Sequence, residues 1–138
     1  MKKLSVCIIL LLLFQSCKQK YENEDLLFRY IKEFQKEQVI EKEYNLLTLR
    51  SYNRCATCYT FNLDTVLKSI IDSNSTIQLY VLFDDKMMFS KYKKSKENKL
   101  ECLFSENTDL DKYGIDKAYP TIFHIKNEKI LNWKKIVK

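Results

Sequence analysis

Proline and glycine are nearly missing from this chain, with one of each in 138 residues, Pro120 and Gly114. No apolar run reaches the ~20 residues that a permanent bilayer-spanning helix needs; the longest, Leu4 to Phe14, stops well short. Basic residues outnumber acidic ones by 24 to 18, yet they form no stripe. The densest basic stretch, Lys91 to Lys99, is interrupted by Tyr92, Ser95 and Glu97. A nucleic-acid site wants cations on one face with aromatic platforms between them, so this stretch reads as a solvated helix face and no nucleic acid is expected as a partner. Internal repeats and low-complexity tracts are absent as well.

What is there begins with a leader. Lys2 and Lys3 precede the apolar run, and Gln15-Ser16-Cys17 closes it before the chain turns polar, the layout of a cleavable export signal. A small residue followed at once by cysteine resembles a bacterial lipoprotein signal. That resemblance implies that residues 1–16 are removed and that Cys17 becomes the lipid-modified first residue. Residues 17–22 are then the lipidated cysteine and a short tether. The folded part, residues 23–138, is expected outside the cytoplasm, facing the periplasm or the cell surface and held to a membrane by its lipid anchor. Loss of residues 1–16 leaves 122 residues and lowers the formal charge from +6 to +4, which suits one domain with a single core.

Five cysteines then reduce to three. Cys7 goes with the leader and Cys17 with the lipid, leaving Cys55, Cys58 and Cys102. Three thiols cannot build a multi-bridge secreted framework. One pair with one thiol left over suits a redox protein.

Hydrophobic periodicity lays out the elements. Asn23 is expected to cap an amphipathic helix running to about Gln38, with Glu24 and Asp25 in its first turn. Tyr44 to Leu49 reads as a strand, and Arg50 to Arg54 as a polar loop. From Cys58 to about Ser73 the apolar spacing is helical again. Thr76 to Phe83 is too uniformly apolar for a half-wet strand and suits a parallel sheet covered on both faces. Asp84 and Asp85 are expected to cap a helix over Lys86 to Lys96. A strand over Leu100 to Phe104 follows, then a short helix over Asp109 to Tyr113 that Gly114 ends in a left-handed C-cap. Ile122 to Ile125 and Ile130 to Trp133 are expected to pair as a hairpin. The order predicts an α/β sandwich whose mixed sheet is mostly parallel with an antiparallel edge.

The chemistry lies in Cys55-Ala56-Thr57-Cys58, between the first strand and the helix after it. A helix N-terminus favours the thiolate of the first cysteine. Strand, CxxC at a helix start, Tyr113-Gly114-Ile115 and Tyr119-Pro120-Thr121 together resemble the thioredoxin-like superfamily. The strand and helix of Thr76 to Asn98 resemble the βα insertion of its TlpA/ResA branch of anchored, extracytoplasmic thiol-disulfide oxidoreductases. The resemblance covers about residues 44–133. It implies that Cys55 attacks substrate, that Cys58 resolves the mixed disulfide, and that a cis Pro120 presents the Tyr119 backbone to an extended substrate. It implies no cofactor, and extracytoplasmic thiol or disulfide proteins as partners.

The chain also departs from that family. Arg54 stands where tryptophan is usual, able to stabilise the thiolate or meet an acidic substrate. Leu49 and Phe61 stand where assisting carboxylates are expected, which would slow resolution. Only five residues follow Trp133, and the helix before Tyr44 is expected to cover a sheet face in place of a C-terminal helix. The alternative function is a non-catalytic binding or accessory module with a static Cys55–Cys58 disulfide. Cys102 reads as a buried, inert thiol and His124 as a packed or hydrogen-bonded histidine, with no metal site expected.

Overall fold

The computed structural model of the protein describes residues 20–50, 63–73, 76–94, 100–116 and 119–136. Its elements are α1 (Glu24–Phe34), β1 (Glu43–Leu49), α2 (Leu63–Ser73), β2 (Gln78–Phe83), α3 (Lys86–Lys93), β3 (Leu100–Phe104), α4 (Asn107–Lys112), β4 (Thr121–Lys126) and β5 (Lys129–Lys135). The five strands form one mixed sheet in the order β3-β2-β1-β4-β5. β1, β2 and β3 run parallel, while β4 is antiparallel to β1 and β5 to β4.

The sheet's centre follows from its apolar runs. Tyr44 through Thr48 on β1 and Leu79 through Phe83 on β2 are buried without a break, because helices cover both faces of these strands. Period-two alternation then divides the core. Tyr44, Leu46, Tyr80, Leu82, Phe123 and Ile125 meet Leu27, Tyr30 and Ile31 of α1 and Leu110 of α4 on one face. Leu47, Leu79, Val81 and Phe83 meet Leu63 and Leu67 of α2 and Tyr92 of α3 on the other. The amphipathic helix before Tyr44 therefore covers the face opposite α2. Beside α2, the β4–β5 part of the sheet carries no helix among the described residues.

Helix ends correct two expectations. Asn23 stands at the N-cap of α1 but makes no side-chain cap bond; its Nδ2 donates instead to the Gly114 carbonyl across the fold at 3.0 Å. α1 stops at Phe34 rather than near Gln38, because buried Gln35 turns inward and its Nε2 donates to the Tyr30 hydroxyl and the Phe104 carbonyl. Gly114 has φ +64°. The Gly114 and Ile115 amides donate back to the Asp111 and Leu110 carbonyls, the paired bonds of a glycine-terminated helix.

The hairpin turns on Asn127 and Glu128, both at positive φ (49° and 56°). That is the backbone of a two-residue turn matched to strand twist. A bulge between His124 and Ile125 shifts the register of β4 against β5. No described helix is long and apolar enough to cross a membrane.

Candidate active site

Arg54, Cys55 and Cys58 lie outside the described residues, as does Cys17. In the chain they fall between Arg50, just past the carboxyl end of β1, and Leu63, where α2 begins. The described residues at the carboxyl end of β1 are those that adjoin the motif in the chain.

Three strand ends converge there. Thr48 on β1 pairs with Thr121 on β4, and the Thr48 hydroxyl donates to the Thr121 carbonyl at 3.3 Å. Antiparallel pairing thus brings Leu49 and Arg50 alongside Pro120 and Tyr119. Pro120 is buried, and its carbonyl accepts the Ile136 amide at 2.8 Å, carrying the β4–β5 ladder past the strand ends. Tyr119 is 41 % exposed. Its carbonyl accepts from the Thr121 hydroxyl at 3.1 Å, and the Lys135 ammonium lies over its ring. Lys135 also reaches Asp116 at 2.6 Å.

One expectation fails here. Among the described residues no peptide bond is cis, so Tyr119–Pro120 is trans. Trans is the intrinsically favoured form of an X-Pro bond, and the ladder bond from Ile136 accommodates it.

The most heavily built feature was not expected from the sequence. Arg50 reads as a loop residue, yet its side chain is fully buried at the carboxyl end of β1. Its Nε donates to Asp84 Oδ2 at 3.1 Å and its two terminal nitrogens to the Ile115 carbonyl at 3.0 Å and Asp111 Oδ1 at 2.5 Å. A planar guanidinium can serve three acceptors at fixed angles, which an ammonium cannot. One side chain therefore ties the end of β1 to the end of β2, to α4 and to the segment that leads toward Pro120. The available signal was an acid placed just after β2 opposite a base placed just after β1, since parallel neighbours end side by side.

The paired aspartates consequently have separate roles. Asp85 caps α3, its Oδ1 accepting the Met88 amide at 2.8 Å. Asp84 is the buried counter-charge of Arg50 and not part of the cap. Leu49 is half-buried against the α2-side core, so the position expected to carry an assisting carboxylate is packed in apolar surroundings.

Cys102 is half-buried on β3. Burial pushes its thiol up to about 11, with Lys93 opposing and Glu101 adding to the shift, so the thiol stays protonated at neutral pH. His124 Nε2 lies 3.1 Å from Glu43 Oε1, and Lys126 holds the other oxygen at 2.7 Å. Bonds to Lys126 and then His124 lower the Glu43 carboxyl below its ordinary range. Among the described residues no three His, Cys, Asp or Glu side chains gather as a metal-sized cluster.

Compared with known proteins, the chain matches no family model, no curated protein and no solved structure.

Proposed function

We propose that the chain is a thioredoxin-like thiol-disulfide oxidoreductase, tethered through Cys17 to the extracytoplasmic side of a membrane and acting on protein thiols through Cys55 and Cys58. One conjunction carries this reading. The chain leaves β1 at Arg50, runs through Cys-x-x-Cys into α2, and β4 starts beside that exit with Tyr119-Pro120-Thr121. The strand order, with α1 and α4 on one face and α2 and α3 on the other, agrees with such a fold carrying one added βα unit.

In the reducing direction the Cys55 thiolate attacks one sulfur of a substrate disulfide. A bond forms between them, and the other substrate sulfur leaves as a thiolate that takes up a proton. Cys58, its proton lost to solvent, then attacks Cys55. The second substrate thiolate departs, and Cys55 and Cys58 are left as a disulfide. A dithiol donor resets the pair by the same exchange, and the steps run backwards oxidise a dithiol substrate. Arg54 supplies positive charge beside the attacking thiolate, and Tyr119 with Pro120 forms the wall along which substrate lies.

A second reading is favoured by Leu49. With an apolar side chain where a proton acceptor is expected, the pair suits a static disulfide in a binding module. Trapping separates the two. Cys58→Ser in the native host should accumulate Cys55-linked adducts that vanish with reductant and are absent from the Cys55→Ser, Cys58→Ser double variant. Absence of adducts, together with no exchange between the wild-type protein and glutathione, leaves the binding module. Mass spectrometry of the membrane fraction should find a mature N-terminus at Cys17 carrying acyl chains, and a soluble mature form would remove the anchor from the proposal.

A further inference from the structure

The outer side of α1 and the segment that leads back to β1 carry unpaired positive charge. Arg29 and Lys32 stand one helical turn apart, away from the side of α1 that buries Leu27, Tyr30 and Ile31. Lys36 lies just past the helix and Lys42 just before β1, and these four cations edge one depression floored by Phe28, Ile31, Val39 and Tyr44. All four are exposed, and none forms an ion pair among the described residues. Glu33 and Glu37 lie outside the depression, and Glu33 accepts from the Tyr113 hydroxyl. Glu41 and Glu128 stand at its rim, which leaves four cations against two acids. Between them Ile40 is 74 % exposed, more than any other large apolar side chain among the described residues. Cations set around an exposed apolar side chain are the make-up of a surface that lies on anionic lipid.

Position selects the occupant. Tyr21 stands four positions after Cys17, so a lipid on Cys17 holds Tyr21 within roughly 14 Å of the bilayer surface. Tyr21 is fixed to the domain by Phe123 and Trp133. α1 starts three positions later and is only about 16 Å long. The tether therefore keeps the cationic depression beside lipid, where an acidic protein partner would have to displace the bilayer to reach it.

We infer that this face docks on an anionic phospholipid surface, with Arg29, Lys32, Lys36 and Lys42 meeting lipid phosphates and Ile40 entering the headgroup layer. The orientation rests on the proposed anchoring at Cys17, whereas the charge pattern does not. Lys42 stands at the amino end of β1 and Arg50 at its carboxyl end, so docking there leaves free the end of the sheet from which the chain runs into Cys-x-x-Cys.

The test places the full chain on vesicles of phosphatidylglycerol with phosphatidylcholine, or of phosphatidylcholine alone. Lysines are labelled with a water-soluble amine-reactive ester and mapped by mass spectrometry. The apolar leader holds the chain on either vesicle even where Cys17 carries no lipid, so a failed anchor and a failed docking face are separate results. On the anionic vesicles Lys32, Lys36 and Lys42 should react at least about fivefold more slowly, the factor that one cation near such a surface contributes. Lys68 of α2 and Lys91 of α3, on the opposite face of the sheet, should change little. Arg29→Glu combined with Ile40→Asp alters two exposed positions and should return the three lysines to their reactivity on phosphatidylcholine, as should screening by about 0.5 M salt. Equal reactivity on the two vesicles, slowing of Lys68 and Lys91 to the same degree, or slowing that survives the double variant would overturn the assignment.

Discussion

Arg50 and Asp84 leave the ends of neighbouring parallel strands and meet as an ion pair sealed from solvent, Nε to Oδ2 at 3.1 Å, with side chains 0 % and 1 % exposed. Desolvating two charges consumes much of what their attraction returns, so such a pair is a poor source of net stability but costly to break on one side.

Arg50→Met is therefore expected to lower the unfolding free energy by about 3–5 kcal/mol, because Asp84 is left charged and buried. Arg50→Met combined with Asp84→Leu should lose less than the single change, since Asp111 is 37 % exposed and can return to water. Urea unfolding of the three proteins measures this. A double variant at least as unstable as Arg50→Met would show that the pair itself, and not its half-removal, carries the energy.

The hairpin offers a gain. Glu128 sits at φ +56°, a region that costs a side-chain-bearing residue ~1–2 kcal/mol. Glu128→Gly relieves that strain but adds flexibility to the unfolded chain, which glycine enlarges by ~0.5–1 kcal/mol. A net stabilisation of about 0.5–1 kcal/mol is expected from these two terms, read as a rise in the denaturant midpoint with unchanged slope. A fall in the midpoint would mean that Glu128 is held by contacts worth more than its backbone strain.

Alkylation separates the thiols by their ionisation. Cys102, raised to about 11 chiefly by burial, should react with iodoacetamide at pH 8 on the order of a hundredfold more slowly than an unperturbed cysteine with pKa ~8.5. Its stabilising contribution is complete below the unfolded value, ~8.5, and is lost as pH rises toward the folded one. At mildly acidic pH Cys55 should be labelled first, ahead of Cys58, with Cys102 last. Peptide mapping reads the order, and equal labelling of Cys55 and Cys58 would contradict the roles proposed for them.

The elements legible in the sequence are those whose signal is local. Thr76 to Phe83 announces a central strand because burial on both faces leaves little polar alternation, and Tyr44 to Leu49 announces a strand through its apolar and β-favouring residues. Gly114 announces a helix end because other residues resist its backbone. Asn23 misleads: it has the residue type of a cap, but its amide finds a tertiary partner 91 positions away. Arg50 reads as a loop residue for the same reason, since its acidic partners stand 34 and 61 positions downstream and join it only once β1 and β2 are set side by side. Side-chain partners distant in sequence are decided by how strands order themselves, and one-dimensional patterns do not carry that information.

Where the chain enters the domain has a mechanical consequence. Tyr21 is wedged edge-on between Phe123 of β4 and Trp133 of β5, and two residues later Asn23 clips to Gly114. A pull on the N-terminal end thus loads the hairpin and the turn after α4 before it reaches α1. A Cβ on Gly114 would stand 2.8 Å from the Asn23 amide nitrogen, leaving no slack in that clip. Under the proposed anchoring at Cys17, a load on the segment before Tyr21 would tug on β4 and β5 before it disturbed the centre of the sheet.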